Sequence, residues 1–236
     1  MNKLLEKIHK KSWGYIAGIL WCSTLLSSCG KDNYEAPTAQ LKGRIVYQGE
    51  AIPVSYNDVV FELFEPGWQL QNPITVTVDQ DGSYAAMLFN ASYKAFFQPN
   101  QGPFIAPADS LAIEVNGNTE FDIEVLPYFM LRNPSFTAND RNVQATFQVE
   151  KIINDERARN IEHITLYVGK TLFTDGRTAV ASSRMDGGTV DISQTINLNV
   201  DVPFLTPTQN YIFARVGLKI VGVEDMVFTP VQRLEL

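Results

Sequence analysis

Apolar and polar residues alternate along most of the chain beyond residue 36. The segments NVQATFQVE (142–150) and TINLNVDV (195–202) alternate without a break, as strands with one buried and one solvent-facing side do. Turn-forming pairs separate such runs, and no amphipathic helix pattern lies between them. These pairs are Gly49-Glu50, Asp81-Gly82, Asn116-Gly117, Asp175-Gly176 and Gly187-Gly188. Short strands at this spacing predict an all-β fold made of β-sandwiches.

A proline divides the pattern into two halves. Pro127 cannot donate a hydrogen bond to a central strand ladder, and each side of it offers about seven strands, which is enough for one sandwich. We therefore predict two consecutive β-sandwich domains, at residues 39–126 and 127–236, that follow a cleaved signal peptide.

The first residues are typical of a secretory signal. A lysine-rich start precedes an apolar run of about 14 residues, which is shorter than the ~20 that a membrane-spanning helix needs. The segment LSSC (26–29) resembles the bacterial lipobox, in which the cysteine is acylated and becomes the first residue of the mature chain. This resemblance implies a signal peptide at 1–28, a lipid anchor on Cys29 and a flexible tether at 29–38. Lys31-Asp32 resembles a signal for the outer face of the outer membrane, so we expect the cell surface.

The charge balance narrows the classes of partner. The full chain carries a formal net charge of −7, and loss of a signal segment with four lysines and one glutamate makes the remainder more acidic. Such a chain is poorly suited to bind nucleic acid or anionic lipid through electrostatics. Cys22 lies inside the predicted signal peptide and Cys29 would carry the lipid, so we expect no disulfide in the mature domains.

The N-terminal half resembles the carboxypeptidase-regulatory-like, transthyretin-type domain. The resemblance rests on the segments GRIV (43–46), EAIP (50–53), VVFEL (59–63), VDQDGSY (78–84) and NASYKA (90–95). We interpret Asp79 and Asp81 as parts of a hairpin turn in which Gly82 takes a positive φ, because a calcium loop in this register would need acidic residues at Thr77 and Leu88.

The C-terminal half carries LTPTQNY (205–211), which resembles the signature that enters the sixth strand of fibronectin type III domains. In that family the tyrosine, here Tyr211, pins a corner of the sandwich and faces inward. The alternation instead predicts that Ile212, Ala214, Val216, Leu218 and Ile220 are buried. A β-bulge near residues 213–215 would reconcile the two registers.

The whole chain resembles a group of acidic outer-membrane lipoproteins that combine these two domain types. The segments that carry this resemblance are KDNYEAP (31–37), GPF (102–104) and VLPY (125–128). It implies an accessory role beside a TonB-dependent transporter and its glycan-capturing lipoprotein in starch-utilisation-type import. From the resemblance we expect a surface lipoprotein that binds or presents glycan. The alternative is a non-catalytic structural or assembly subunit of a transporter complex or surface array.

The sequence offers little for an enzyme. His163 is the one histidine after the signal, and its strand EHITLYV (162–168) predicts that it faces solvent with Thr165 and Tyr167. Without a second imidazole or a free thiol, the mature chain lacks the ligands that a zinc site needs. We predict no catalytic residue, no metal site and no cofactor.

The candidate sugar site is the loop EPGWQLQNP (65–73). An exposed indole could stack on the apolar face of a pyranose, with amides nearby to bond its hydroxyls, and the loop supplies Trp68 with Gln69, Gln71 and Asn72. In the alternative, the Trp68 ring caps the core. A second candidate is the inter-domain groove near Tyr128 and Phe129.

Overall fold

A computed structural model describes residues 35–67 and 72–236, of which Pro37–Leu236 form one compact unit. The described residues hold strands, turns and a short 3-10 turn at Gly187–Thr189. This confirms the predicted all-β class. The predicted signal peptide, Cys29 and residues 29–34 of the predicted tether lie outside the described residues.

The N-terminal sandwich consists of two facing sheets. The strands are β1 Ala39–Tyr47, β2 Glu50–Ala51, β3 Val60–Phe64, β4 Ile74–Thr77, β5 Ser83–Leu88, β6 Ala91–Phe96, β7 Phe104–Ile105, β8 Leu111–Val115, β9 Asn118–Glu120 and β10 Ile123–Glu124. In one sheet, the long strand β1 is flanked by the antiparallel strands β2 and β5 and by the parallel strands β9 and β10. The other sheet has the order β4-β3-β6-β8.

The core of this sandwich follows from the alternation in its strands. In β3, Phe61 and Leu63 point inward and are fully buried, and the ring of Phe61 meets the edge of the Tyr84 ring at 4.9 Å. The turn before β5 forms as predicted, since Gly82 has a φ of 85° and its N–H donates to the carbonyl oxygen of Asp79 at 2.9 Å. Asp81 accepts the backbone N–H of Ser83 at 2.9 Å, which is the role of a turn residue.

The C-terminal sandwich also has two sheets. The short strand β11, Leu126–Pro127, precedes this domain and pairs with β7. The strands of the domain are β12 Phe129–Asn139, β13 Asn142–Lys151, β14 Ile161–Gly169, β15 Ala179–Asp186, β16 Ile196–Asp201, β17 Tyr211–Ile220, β18 Met226–Phe228 and β19 Gln232–Glu235. The sheet orders are β12-β13-β16 and β15-β14-β17-β18, and β19 pairs with the other end of β17. The domain boundary at 126–128 stays a prediction.

Strand β17 tests the conflict between the two registers. The alternating set from Ile212 to Ile220 is fully buried, as the pattern predicts. The predicted bulge near residues 213–215 is wrong, because the pairing of β17 with β14 runs without a shift from Phe213 to Lys219. Tyr211 and Phe213 are therefore half-buried on the outer face, where the guanidinium carbon of Arg233 lies 4.3 Å from the centre of the Tyr211 ring.

The outer face of this sheet is covered by the N-terminal sandwich. Arg215 on β17 is 1% exposed and donates to the Val54 carbonyl at 2.7 Å and to Gln80 Oε1 at 3.2 Å. Its guanidinium carbon lies 3.5 Å from the centre of the Phe228 ring, and the Phe228 N–H donates to the Pro53 carbonyl at 2.9 Å. Burial lowers the pKa of Arg215 to about 9, so the group remains charged at neutral pH.

The prediction that His163, Thr165 and Tyr167 face solvent is wrong. All three are buried, because the face of β14 that they occupy is the covered one. The Tyr167 ring lies 6.1 Å from that of Phe228, and its hydroxyl lies 3.9 Å from the sulfur of Met226. Burial, and next the charge of Arg184, lower the pKa of His163. The imidazole is thus a neutral packing group at neutral pH.

Candidate functional site

The sequence-predicted sugar site falls mostly outside the described residues. Trp68, Gln69 and Gln71 lie outside them, so the two interpretations of Trp68 stay predictions. Asn72 is described and is exposed in the connection between β3 and β4. The second candidate, beside Tyr128, lies within the described residues.

A groove of about 330 Å³ lies where the two sandwiches meet. Its walls are the segment 96–108, which connects β6 to β8 through β7, and Tyr128, which follows the short strand β11. Val223 of the C-terminal sandwich also lines it. Phe129, the other residue of that prediction, is 3% exposed and lines a different groove, so the structure separates the two.

Aromatic rings form the apolar part of the groove. Phe96 at the end of β6 and Tyr128 are half-buried, whereas Phe104 below them is buried. The Phe104 ring packs edge-on against that of Phe97 at 5.8 Å, and Phe97 in turn lies 5.5 Å from Phe61 in the core. The groove floor is therefore continuous with the rigid core of the N-terminal sandwich.

Amide side chains supply the polar part. Gln98 donates through Nε2 to Glu62 Oε2 at 3.0 Å, and Gln101 accepts the Val60 N–H on Oε1 at 3.0 Å. These bonds use one half of each amide and leave Gln98 Oε1 and Gln101 Nε2 as an acceptor and a donor. Asn100 is exposed and has a φ of 67°, a conformation that asparagine tolerates. The bonds orient the amides before any ligand arrives.

The loop that carries these amides is fastened to the C-terminal sandwich. The Gly102 N–H donates to Asp225 Oδ2 at 2.8 Å, and the Tyr128 N–H donates to the Pro103 carbonyl at 3.3 Å. Burial raises the pKa of Asp225, against the lowering effect of the Gly102 N–H. Only glycine suits position 102, because φ is 81° and a Cβ would lie 2.3 Å from the Phe104 ring. Both sandwiches thus set the shape of the groove.

Sequence reasoning found Tyr128 but missed the loop residues Phe96, Gln98, Asn100 and Gln101. The available signal was FFQPNQGP (96–103), a stretch rich in aromatic, amide and turn-forming residues between two strands. Long irregular connections of this kind in compact domains are often functional.

The described part of the chain offers no assembled metal centre. Within residues 35–67 and 72–236, no three metal-ligating side chains come together. No helix in these ranges has the length and apolarity to cross a bilayer. The chemistry that the groove can perform is stacking and hydrogen bonding, since its lining combines aromatic rings with amides.

Two family models together match nearly all the described residues. The N-terminal domain of a protein of unknown function (DUF3823) matches residues 39–126, and a domain of unknown function (DUF3823_C) matches residues 129–233. No curated protein matches this chain.

Solved structures from Bacteroides and Parabacteroides share this architecture. A DUF3823 family protein from Bacteroides ovatus ATCC 8483 is 33% identical, over 84% of this chain and 99% of that one, with a TM-score of 0.76. Another from Parabacteroides merdae ATCC 43184 is 29% identical, over 85% of this chain and 100% of that one, also at 0.76.

A more distant structure shares the fold alone. It is described as a "putative carbohydrate binding protein" from Bacteroides uniformis ATCC 8492 and is 18% identical, over 85% of this chain and 100% of that one, with a TM-score of 0.68. The matches to both domain models and to the Bacteroides ovatus protein show that this chain belongs to the DUF3823 family, whose function is unknown.

Proposed function

We propose that this protein is a non-catalytic accessory lipoprotein that binds or presents glycan for import, and that the groove beside Tyr128 is its glycan site. The observation that carries the proposal is the pairing of two partly accessible rings, Phe96 and Tyr128, with the pre-oriented amides of Gln98 and Gln101. The description of the Bacteroides uniformis protein as carbohydrate binding supports the same class of ligand.

Sugar recognition needs these two elements together. The C–H face of a pyranose is apolar and packs on an aromatic ring, while its hydroxyls both donate and accept hydrogen bonds. The two amides meet the second need together, because Gln98 Oε1 remains as an acceptor and Gln101 Nε2 as a donor. Fixing them beforehand on Glu62 and on the Val60 backbone reduces the entropy lost on binding.

The proposal also covers the location of the protein, its partner proteins and its domain types. We place the protein at the outer membrane, anchored through lipid on Cys29, beside a TonB-dependent transporter and its glycan-capturing lipoprotein. We take the N-terminal sandwich as carboxypeptidase-regulatory-like and the C-terminal sandwich as immunoglobulin or fibronectin III-like. Supporting features are the lipobox-like LSSC (26–29) and the two-sandwich fold.

Glycan affinity gels with the purified full-length protein test the proposal. We expect retardation by at least one plant, host or microbial polysaccharide, and no release of sugar from it. Phe96→Ala and Trp68→Ala then distinguish the groove from the 65–73 loop, since only the variant at the true site loses binding. Retardation by no polysaccharide would contradict the glycan role.

One observation favours the alternative, an assembly subunit. Tyr56, Leu172 and Phe173 are exposed apolar residues at the junction of the two sandwiches, and the rings of Tyr56 and Phe173 lie 4.4 Å apart. Exposed apolar clusters often mark protein contacts. If this is the main function, the protein should co-purify with the transporter and bind no glycan, and Phe173→Ser should abolish the co-purification.

A further inference from the structure

The groove is electrically neutral. Among the described residues that line it, none carries a charged side chain, and its polar side chains are those of Gln98, Asn100, Gln101 and Tyr128. Amides and hydroxyls bond neutral sugar hydroxyls well but supply no counter-charge for a carboxylate or a sulfate.

Carboxyl groups border the groove, and the nearby cations lie outside its lining. Glu62 bonds Gln98, and Asp225 bonds the Gly102 N–H, so both carboxyl groups are next to the site. Arg157 is near enough to Tyr128 for the two to interact electrostatically, but it pairs with Asp155 at 2.6 Å. Lys219 acts on Asp225, and Arg159, beside Gly222, lines a different groove.

The chain as a whole adds to this local bias. Its formal net charge is −7 and its isoelectric point is about 4.9, so an anionic polymer is repelled during approach. This long-range repulsion weakens as salt is added, because the screening length is about 8 Å at physiological ionic strength. The local effect persists at high salt, because an anion placed in the groove loses water without gaining a counter-charge.

We infer that the groove selects uncharged glycan segments and rejects uronate-containing and sulfated ones. The inference rests on the proposed glycan function and names its substrate class. Neutral hexose, pentose and deoxyhexose units all meet the requirement, because each offers an apolar ring face and several hydroxyls without a formal charge.

A matched pair of polymers tests this selectivity. A neutral polysaccharide that the full-length protein binds is compared with the same polymer after oxidation of its primary hydroxyls to carboxylates. We expect the oxidised polymer to bind at least about tenfold more weakly at low salt, since like charges oppose association. The difference should shrink as salt is added.

Oxidation adds carboxylates to the polymer and also removes its primary hydroxyls, and a pair of protein variants distinguishes these two effects on binding. Ala108 lines the groove and is exposed, so Ala108→Lys adds a cation and Ala108→Gln adds a neutral side chain of comparable reach. We expect the lysine variant alone to gain affinity for the oxidised polymer at low salt. No gain over the glutamine variant would overturn the electrostatic argument.

The remaining outcomes distinguish the two levels of the proposal. Wild-type binding of polygalacturonate or a sulfated galactan as tight as that of any neutral polymer overturns the inference and leaves the glycan function standing. Binding of no polymer, neutral or anionic, overturns the glycan function as well.

Discussion

Truncation of Phe96 is the sharpest test of the groove. The ring is half-buried and lines the groove, and it does not belong to the set of side chains packed on the core. A fully buried phenylalanine costs about 3–5 kcal/mol on truncation to alanine, so we expect Phe96→Ala to cost less, roughly 1–2 kcal/mol of unfolding free energy. A domain with the usual 5–15 kcal/mol of stability stays folded after this loss.

Glycan binding should suffer more. If sugar stacking resembles base stacking on aromatic side chains, loss of the ring removes about 1–3 kcal/mol of binding free energy. This corresponds to an increase in Kd of roughly 5- to 150-fold. Calorimetric titration with the polysaccharide that the wild-type protein binds measures the change, and urea unfolding of the same sample measures stability.

Phe89 offers a matched control. It is a 48% exposed phenylalanine at the opposite end of β6, in the connection from β5. Phe89→Ala should leave glycan binding unchanged. The reasoning fails if Phe96→Ala is folded and binds like the wild-type protein, or if Phe89→Ala weakens binding to the same extent.

Three further predictions concern Gly102 in the groove loop, the stability of the protein at acidic pH and the lipid on Cys29. Gly102→Ala should destabilise the protein to urea by about 1–3 kcal/mol, and by more than Gly117→Ala, because Gly117 has a similar φ of 62° but open space around its Cβ. Burial tends to raise the pKa of Asp175, but the hydrogen bonds from Arg177 outweigh this effect, so the pKa is lowered overall. The stabilisation from the Asp175–Arg177 pair is therefore complete above the unfolded pKa of about 3.9 and is lost as pH falls through the folded pKa. Asp175→Asn should make the free energy of unfolding, measured with urea, less dependent on pH in this acidic range. Cys29→Ala should move the protein from the membrane to the soluble fraction, and unchanged partitioning would contradict lipidation.

Local sequence patterns determined the strands and the turns of this protein. Alternation is a property of neighbouring residues, so it correctly predicts β13, β16 and the buried set on β17. Gly82 was predictable for the same reason, because a tight turn and its positive φ depend on a few adjacent residues.

Packing between the sandwiches decided whether the polar face of a strand is exposed to solvent or buried. Alternation separates two faces but does not tell whether the polar one meets water or another domain. His163 occupies a face predicted to meet water, and it is buried. Arg215, on the same face of the neighbouring strand, is buried against Val54 and Gln80 of the N-terminal sandwich and against Phe228.

The groove itself needed the tertiary structure. The loop 96–103, Tyr128 and Val223 are far apart along the chain, and they line one site because the Gly102 N–H donates to Asp225 and β7 pairs with β11. Such contacts join residues up to 123 positions apart, and no local period records them. The sequence alone therefore determined the class of fold, whereas the location and the neutrality of the candidate site depended on how the two sandwiches pack.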